Sequence, residues 1–447
     1  MRPSAETQKS SETPITAPSL EPGKFKIPVD YYILFGICGL FIATAFLFNS
    51  PQQILDGFIR IQTSRSVLVT DYIVVGGIGA ALVNSSLLTL LNLFLLLLLK
   101  RDSNGKIVAG LFLTLGFSLF GKNMLNSLPI MAGVWLYGRV SGKKFSDVII
   151  FAMIGTTIAP IVSQIAFLNE YFNLPRFFSA YAIGIFVGFL FPLVADHVKR
   201  MHNNYCLYNG GIAGGFIATM SAGLLRSIGI EIVPENFWDN ENTMPLAVLA
   251  YSIAAALIVY GVVMDKPKNA YKKYVKLLKE KNPDNSDYLK KYHNTCYINI
   301  GILCIVSTTV ILILGKPING PILGGIFTVA GFGGAGKHLR NVIPIMIGST
   351  IAVYLNLFDF AAPVNALAIL FSTGLAPIAG KYGWIWGIVT GFIHVSIAIF
   401  VGEINGGLNL YNNGFAGSFV AVLILPLILA FRAFHQKMKP KGRKGNQ

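Results

Sequence analysis

The stretch Gly121-Lys122-Asn123-Met124-Leu125-Asn126-Ser127-Leu128-Pro129-Ile130-Met131-Ala132-Gly133 recurs as Gly336-Lys337-His338-Leu339-Arg340-Asn341-Val342-Ile343-Pro344-Ile345-Met346-Ile347-Gly348. Both copies read G-K-x-x-x-N-x-x-P-I-M-x-G. The agreement extends upstream at the same offset, where Gly110, Phe112, Gly116 and Phe117 align with Gly325, Phe327, Gly331 and Phe332. A whole unit is therefore duplicated. Each copy sets a lysine between two glycine-bearing apolar stretches, and the rest of the chain decides what such a lysine means.

Hydrophobic residues make up 53% of the 447-residue chain and charged residues 13%, with a mean hydropathy of +0.61. Those values belong to a polytopic membrane protein rather than a soluble domain. Apolar runs near the ~20 residues that cross a bilayer fall around 31–48, 72–99, 147–167, 178–197, 205–226, 245–264, 295–315, 364–380, 384–402 and 412–433. The lysine-bearing regions 107–138 and 321–356 are longer than one span needs and short for two spans plus a turn. The expected fold is an all-α polytopic membrane protein with about ten full spans and two re-entrant or half-helix hairpins. Counting each hairpin as two short spans gives a seven-plus-seven layout instead, and the sequence leaves both counts open.

Residues 1–30 are polar and rich in Ser, Thr and Pro, which predicts a disordered tail rather than a cleavable signal. Positively charged loops stay in the cytoplasm. The segment 265–294 carries nine lysines, and six basic residues lie between Arg432 and Lys444. Placing both termini in the cytoplasm of a plasma-membrane protein puts these segments inside, and the loop with Glu231, Glu235, Asp239 and Glu241 outside. The resulting organisation is a cytoplasmic tail (1–30), a first transmembrane repeat (31–230), and an external loop with the first span of the second repeat (231–264). A basic cytoplasmic loop (265–294), the remainder of the second repeat (295–433) and a basic tail (434–447) complete it.

The net charge of +16 does not indicate nucleic acid, because the lysines flank spans and are not interleaved with stacking aromatics. Anionic lipid headgroups are the expected contact. Cys38, Cys206, Cys296 and Cys304 lie in or beside apolar runs without C-x-x-C spacing, so neither a disulfide framework nor a metal site is indicated, and no cofactor is expected. A homo-oligomer is among the arrangements the sequence permits.

Five spans per half is an odd number, so a tandem duplication flips the second copy in the membrane. Other echoes agree with this reading. Thr157-Ile158-Ala159-Pro160-Ile161 matches Gly374-Leu375-Ala376-Pro377-Ile378, and Gly184/Gly188 match Gly387/Gly391. Leu207-Tyr208-Asn209-Gly210 matches Leu410-Tyr411-Asn412-Asn413. Inverted repeats with interrupted helices are the recurring plan of secondary transporters, with substrate held near the midplane. Irregular backbone survives at that depth only inside protein or around a water-filled cavity. A half-helix start beside a lysine favours an anion. Lys122, Asn126, Pro129, Lys337, Asn341 and Pro344 are therefore the expected substrate-binding residues, with Asn209, Asn412 and His394 as secondary candidates. The competing reading places both lysines in interfacial turns, snorkelling to headgroups. Tyr208 and Tyr411 read as interface anchors at span ends, the G-x-x-x-G helices as packing faces, and Asp71, Asp359 and Glu403 as water-facing. Gly331–Lys337 has P-loop spacing, but His338 replaces the required Ser/Thr and no strand precedes it.

The G-K-x-x-x-N-x-x-P-I-M repeats and the L-Y-N segments resemble an uncharacterised bacterial multipass family carrying a duplicated domain of unknown function. The five-plus-five layout with a hairpin after the second span of each half resembles urea transporters, although their neutral filter has no lysine. The seven-plus-seven layout is similar to uracil permeases and anion exchangers, whose facing half-helices bind substrate. These resemblances imply a transporter or channel for a small polar or anionic solute. The alternatives are a scaffold or sensor docking through 265–294, or an intramembrane enzyme, for which no acid–base or metal cluster is evident.

Overall fold

The computed structural model describes residues 25–168, 173–198, 201, 203–230, 232, 237–281, 287–355 and 363–438. Most of the two terminal tails, Glu231, Glu235 and Asp359 lie outside the described residues. The helices fall into two runs of ten in the same order. The first run is α1 (Val29–Phe48), α2 (Pro51–Thr63), α3 (Tyr72–Gly76), α4 (Ile78–Leu98), α5 (Gly105–Phe117), α6 (Met124–Val140), α7 (Phe145–Gly155), α8 (Pro160–Ala166), α9 (Leu174–Val198) and α10 (Asn209–Ser227). The second is α11 (Thr243–Asp265), α12 (Pro267–Leu277), α13 (Tyr288–Tyr292), α14 (Thr295–Ile313), α15 (Gly320–Gly331), α16 (Leu339–Tyr354), α17 (Pro363–Ser372), α18 (Ala376–Tyr382), α19 (Trp384–Ile404) and α20 (Asn412–Met438). Among the described residues there is no strand, only isolated bridges.

Eight helical segments, one of them α17 and α18 together, are long and apolar enough to cross a membrane, and a ninth is added if α7 and α8, bent by 48°, count as one. The tenth expected span, α10, has 19 residues but is less apolar, with five glycines and Arg226. The expected span 72–99 is divided, because Gly77 at φ +87° separates α3 from α4. The lysine regions form pairs of short helices, α5/α6 and α15/α16. Arg101, just before α5, lies 4.0 Å from Asp147 in the first turn of α7. The α5/α6 pair thus starts and finishes at the same end of the molecule.

The two runs are related by a twofold pattern that can be read contact by contact. Phe112 and Phe327, each the other's counterpart at an offset of 215, meet edge to face with centroids 6.4 Å apart. Gly211 and Gly414, also counterparts, press backbone against backbone; a Cβ on Gly211 would lie 2.6 Å from Gly414 Cα. A residue touching its own counterpart must lie on the symmetry axis. Around that axis α5 and α15 run antiparallel, with Gly105 against Gly334, Gly116 against Gly324 and Gly320 against Leu119. An axis perpendicular to two antiparallel helices lies in the membrane plane when those helices stand along the normal, which is the relation of inverted repeats.

The halves also cap each other. Asp287, at the start of α13, accepts the N–H of Gly105, the first residue of α5, at 2.9 Å. Its counterpart Asp71, at the start of α3, accepts the N–H of Gly320, the first residue of α15, and that of Asp239 at 3.1 Å. Both acceptors satisfy N–H groups that a helix start leaves orphaned. Asp71, expected to face water, is fully buried because it serves this cap. Glu403 is exposed as expected.

Close packing sets the remaining geometry. The glycines of α9 and α19 receive the prolines of α6 and α16: Cβ atoms on Gly184 and Gly387 would sit 2.9 and 3.0 Å from Pro129 and Pro344 Cβ. One turn on, Cβ atoms on Gly188 and Gly391 would lie 2.3 and 2.1 Å from the carbonyl oxygens of Ile130 and Ile345. Small residues are what allow such backbone approach in membranes. Gly188→Val and Gly391→Val are each expected to abolish the folded, monodisperse protein on size exclusion. Gly223→Val, where nothing lies within 4 Å, should leave the elution profile unchanged.

Candidate functional site

Each short-helix pair is interrupted at the motif glycine. Gly121 and Gly336 adopt φ +76° and +118°, values that L side chains rarely take, which accounts for the glycine before each lysine. A buried asparagine one helix away holds each break. Asn84 Nδ2 donates to the carbonyls of Ser118 at 2.7 Å and Lys122 at 2.9 Å. Asn299 Nδ2 donates to those of Gly333 at 2.9 Å and Lys337 at 2.8 Å. Inside the motif, Asn126 Nδ2 donates to Gly121 O at 2.9 Å while its Oδ1 accepts from Asn123 N. Asn341 repeats this with Gly336 O at 3.0 Å and His338 N at 2.9 Å. The motif asparagines thus shape the loop that presents the lysine, and the motif prolines pack against α9 and α19.

The lysines themselves are fully buried. Neither snorkels. Lys122 Nζ donates to the Tyr411 hydroxyl at 2.6 Å, and Phe117 and Tyr411 present their rings within 5.6 and 4.5 Å of the ammonium. Lys337 Nζ donates to the Tyr208 hydroxyl and, at 2.7 Å, to Thr373 Oγ1, with the rings of Phe332 and Tyr208 at 5.3 and 4.4 Å. In both cases the tyrosine comes from the opposite repeat, so the two sites are exchanged across the axis. Tyr208 and Tyr411 are 7% exposed and engaged by lysine, which replaces the interface-anchor reading. Phe371 stands between the sites, 5.5 Å from Phe117 and 6.2 Å from Tyr208 by ring centroid.

Tyr208 and Tyr411 are positioned by backbone. Leu207 N donates to Gly374 O at 2.8 Å, and Leu410 N donates to its counterpart Thr157 O at 2.9 Å. The segments entering α10 and α20 are thereby seated on the breaks between α17 and α18 and between α7 and α8. Asn409 completes the second seat, accepting from Thr157 Oγ1 at 2.7 Å and donating to Gly211 O at 3.2 Å. Of the secondary candidates, Asn412 accepts from Asn405 at 2.8 Å and His394 Nε2 meets Asn413 Oδ1 at 3.1 Å. Asn209 Oδ1 is buried without a hydrogen-bond partner among the described residues. None of the three has a described bond to either lysine.

Among the described residues no ion pair includes Lys122 or Lys337, and no group of three metal-ligating side chains occurs. A buried ammonium without a carboxylate is costly, by several kcal/mol even after relaxation. Phenolic oxygens and ring faces offset part of that, at about 0.5–2 kcal/mol per cation–π contact. An ammonium has three donors. The bonds above use one on Lys122 and two on Lys337, so in the ammonium form each site keeps at least one N–H free among the described residues.

Asn84, Asn299, Phe371 and Thr373 are the residues that the motifs do not single out, while Tyr208 and Tyr411 stand out as a repeated pair with a different expected role. Asn84 and Asn299 stand at the motif's own offset of 215 and were open to discovery by extending the alignment upstream. Asn84→Ala and Asn299→Ala each leave two buried carbonyls short of a donor, and are expected to lower thermal stability by about 1–3 kcal/mol. Asn92→Ala, whose Oδ1 is already unpartnered, should cost less in the same melt.

No curated protein and no solved structure matches the chain. A family model does, over residues 50–227 and 266–430, two segments that follow the two helical runs. The chain belongs to DUF1576, a family of proteins of unknown function with a duplicated helical domain.

Proposed function

We propose that this protein is a plasma-membrane transporter or channel for a small polar or anionic solute, bound at the interface of the two repeats. The observation that supports it most is the pair of fully buried lysines, each at a helix break and each held by a tyrosine of the opposite repeat, with no ion-pair partner among the described residues. Charges at that depth are expensive, and intramembrane lysines mark solute or ion pathways. In this reading α5/α6 and α15/α16 are re-entrant hairpins entering from opposite faces, with both termini in the cytoplasm. Lys122 and Lys337 attract the anionic group. Tyr411, Tyr208 and Thr373 are the partners it displaces or joins, and Phe117, Phe371 and Phe332 keep water from linking the two sides. The tyrosine exchange gives a route for coupling, since moving one repeat against the other alters both lysine environments together.

A scaffold or sensor acting through 265–294 would have no use for these lysines. Melting temperatures of the purified protein in uncharged detergent, against formate, acetate, lactate and succinate with urea and glycerol as neutral controls, separate the two. A ligand at 100 times its Kd stabilises the folded state by about 2.7 kcal/mol. At least one carboxylate should raise the melting temperature of the wild type and fail to do so in Lys122→Met/Lys337→Met. A flat response across the panel, or an equal shift in the double variant, contradicts the proposal.

A further inference from the structure

A second concentration of cations lies away from the repeat interface, at the lysine-rich end of the molecule. A cavity of about 250 Å³ opens there between three segments distant in sequence: 278–281 after α12, the start of α16, and the turn from α18 to α19. Its lining carries Lys279, Lys281, Arg340 and Lys381. The one acid in the lining, Glu280, is already engaged, its carboxylate accepting from Lys291 and from the Tyr292 hydroxyl. Burial works to raise the Glu280 pKa, but those two partners outweigh it and hold the carboxyl below its ordinary range. Glu280 is therefore engaged within its own loop, and among the described residues no ion pair includes Lys279, Lys281, Arg340 or Lys381.

Backbone adds to the same field. Two helices begin at the cavity, α16 at Leu339 and α19 at Trp384. Helix starts leave N–H groups unpaired and carry a partial positive charge. Gly383, at φ +100°, precedes α19 and has no side chain to cover them. Retention of lysines on one side of a membrane explains cations flanking spans. It does not require cations from three segments to converge on one concavity with two helix starts at its wall. The volume is small for a nucleotide and sufficient for one multiply charged oxyanion. Trp384 and Ile385 beside the mouth are 47% and 77% exposed, an apolar rim of the kind that lies against lipid.

We infer that this cavity binds a terminal, multiply charged phosphate group, supplied by inorganic phosphate or by the phosphomonoester headgroup of an anionic lipid such as phosphatidic acid. Arg340 and Lys381 grip it, and the N–H groups at the starts of α16 and α19 donate to its oxygens as helix starts do elsewhere. The occupant ties 278–281 to the start of α16, where His338, also in the lining, directly follows Lys337. The inference is independent of transport and stands or falls separately.

The test uses the full chain in uncharged detergent at pH 7.5, comparing sodium phosphate with sodium chloride at equal ionic strength, and micelles doped with phosphatidic acid or with phosphatidylcholine. A phosphate-bearing probe should raise the melting temperature by about 2 °C or more at saturation. Arg340→Gln/Lys381→Gln should weaken the response at least tenfold in probe concentration, and Lys122→Met should retain it. Both substituted residues are exposed, so the melting temperature in chloride should match wild type; if it does not, Lys279→Gln/Lys281→Gln provides the same comparison. Response to phosphatidic acid alone assigns a lipid headgroup, and response to both probes assigns the phosphate group itself. Equal behaviour in phosphate and chloride with no effect of phosphatidic acid overturns the inference, as does an undiminished response in the substituted proteins.

Discussion

Two lysine side chains are buried in this protein with no ion-pair partner among the described residues, and the arrangement around them follows from that cost. A lysine can be kept at such a place only if the backbone presents it rigidly and its Nζ finds oxygen partners. Glycine in the left-handed region supplies the break, the motif asparagine ties the loop to its own helix, and Asn84 or Asn299 fixes the loop carbonyls from the neighbouring helix. The oxygen partner comes from the other repeat. Each lysine therefore takes its tyrosine partner from the other half.

The exchange extends beyond the tyrosines. Asp71 and Asp287 cap the opposite repeat's short helix, and Leu207 and Leu410 are seated on the opposite repeat's break. These contacts are polar and directional, unlike the glycine–proline packing of α6 on α9 and α16 on α19, which stays within each repeat. Between the repeats these bonds accompany close backbone contacts of their own, Gly105 on Gly334, Gly116 on Gly324 and Gly211 on Gly414. The halves are also unequal. Lys337 has Thr373 as an additional acceptor, and Phe371 has Ile154 as its counterpart, so the two lysine environments are not identical.

Much of this was legible in the sequence because strict offsets survive where backbone geometry or buried polarity demands particular residues. The G-K-x-x-x-N pattern located both breaks, the short apolar lengths around it indicated paired half-helices, and G-x-x-x-G in α9 and α19 gave the packing faces. Tyr208 and Tyr411 were visible as a repeated pair but misread, since a tyrosine at a span end ordinarily marks the interface. Their burial depends on contacts between the halves, which no local pattern encodes. Asp71 was placed in water for the same reason: its partner Gly320 lies in the other repeat. The α10 span is expected from the apolar run 205–226, although its five glycines and Arg226 leave it less apolar than the other spans.

The account rests on Lys122 and Lys337 acting on a permeating anion. Its most direct test is light scattering of proteoliposomes after an osmotic step, across formate, acetate, lactate and urea, for wild type and for Lys122→Met and Lys337→Met reconstituted at equal density. The account predicts solute entry in wild type that favours at least one anion over urea and falls at least tenfold in each single variant. Equal entry rates in wild type and both variants, at matched incorporation, would contradict it.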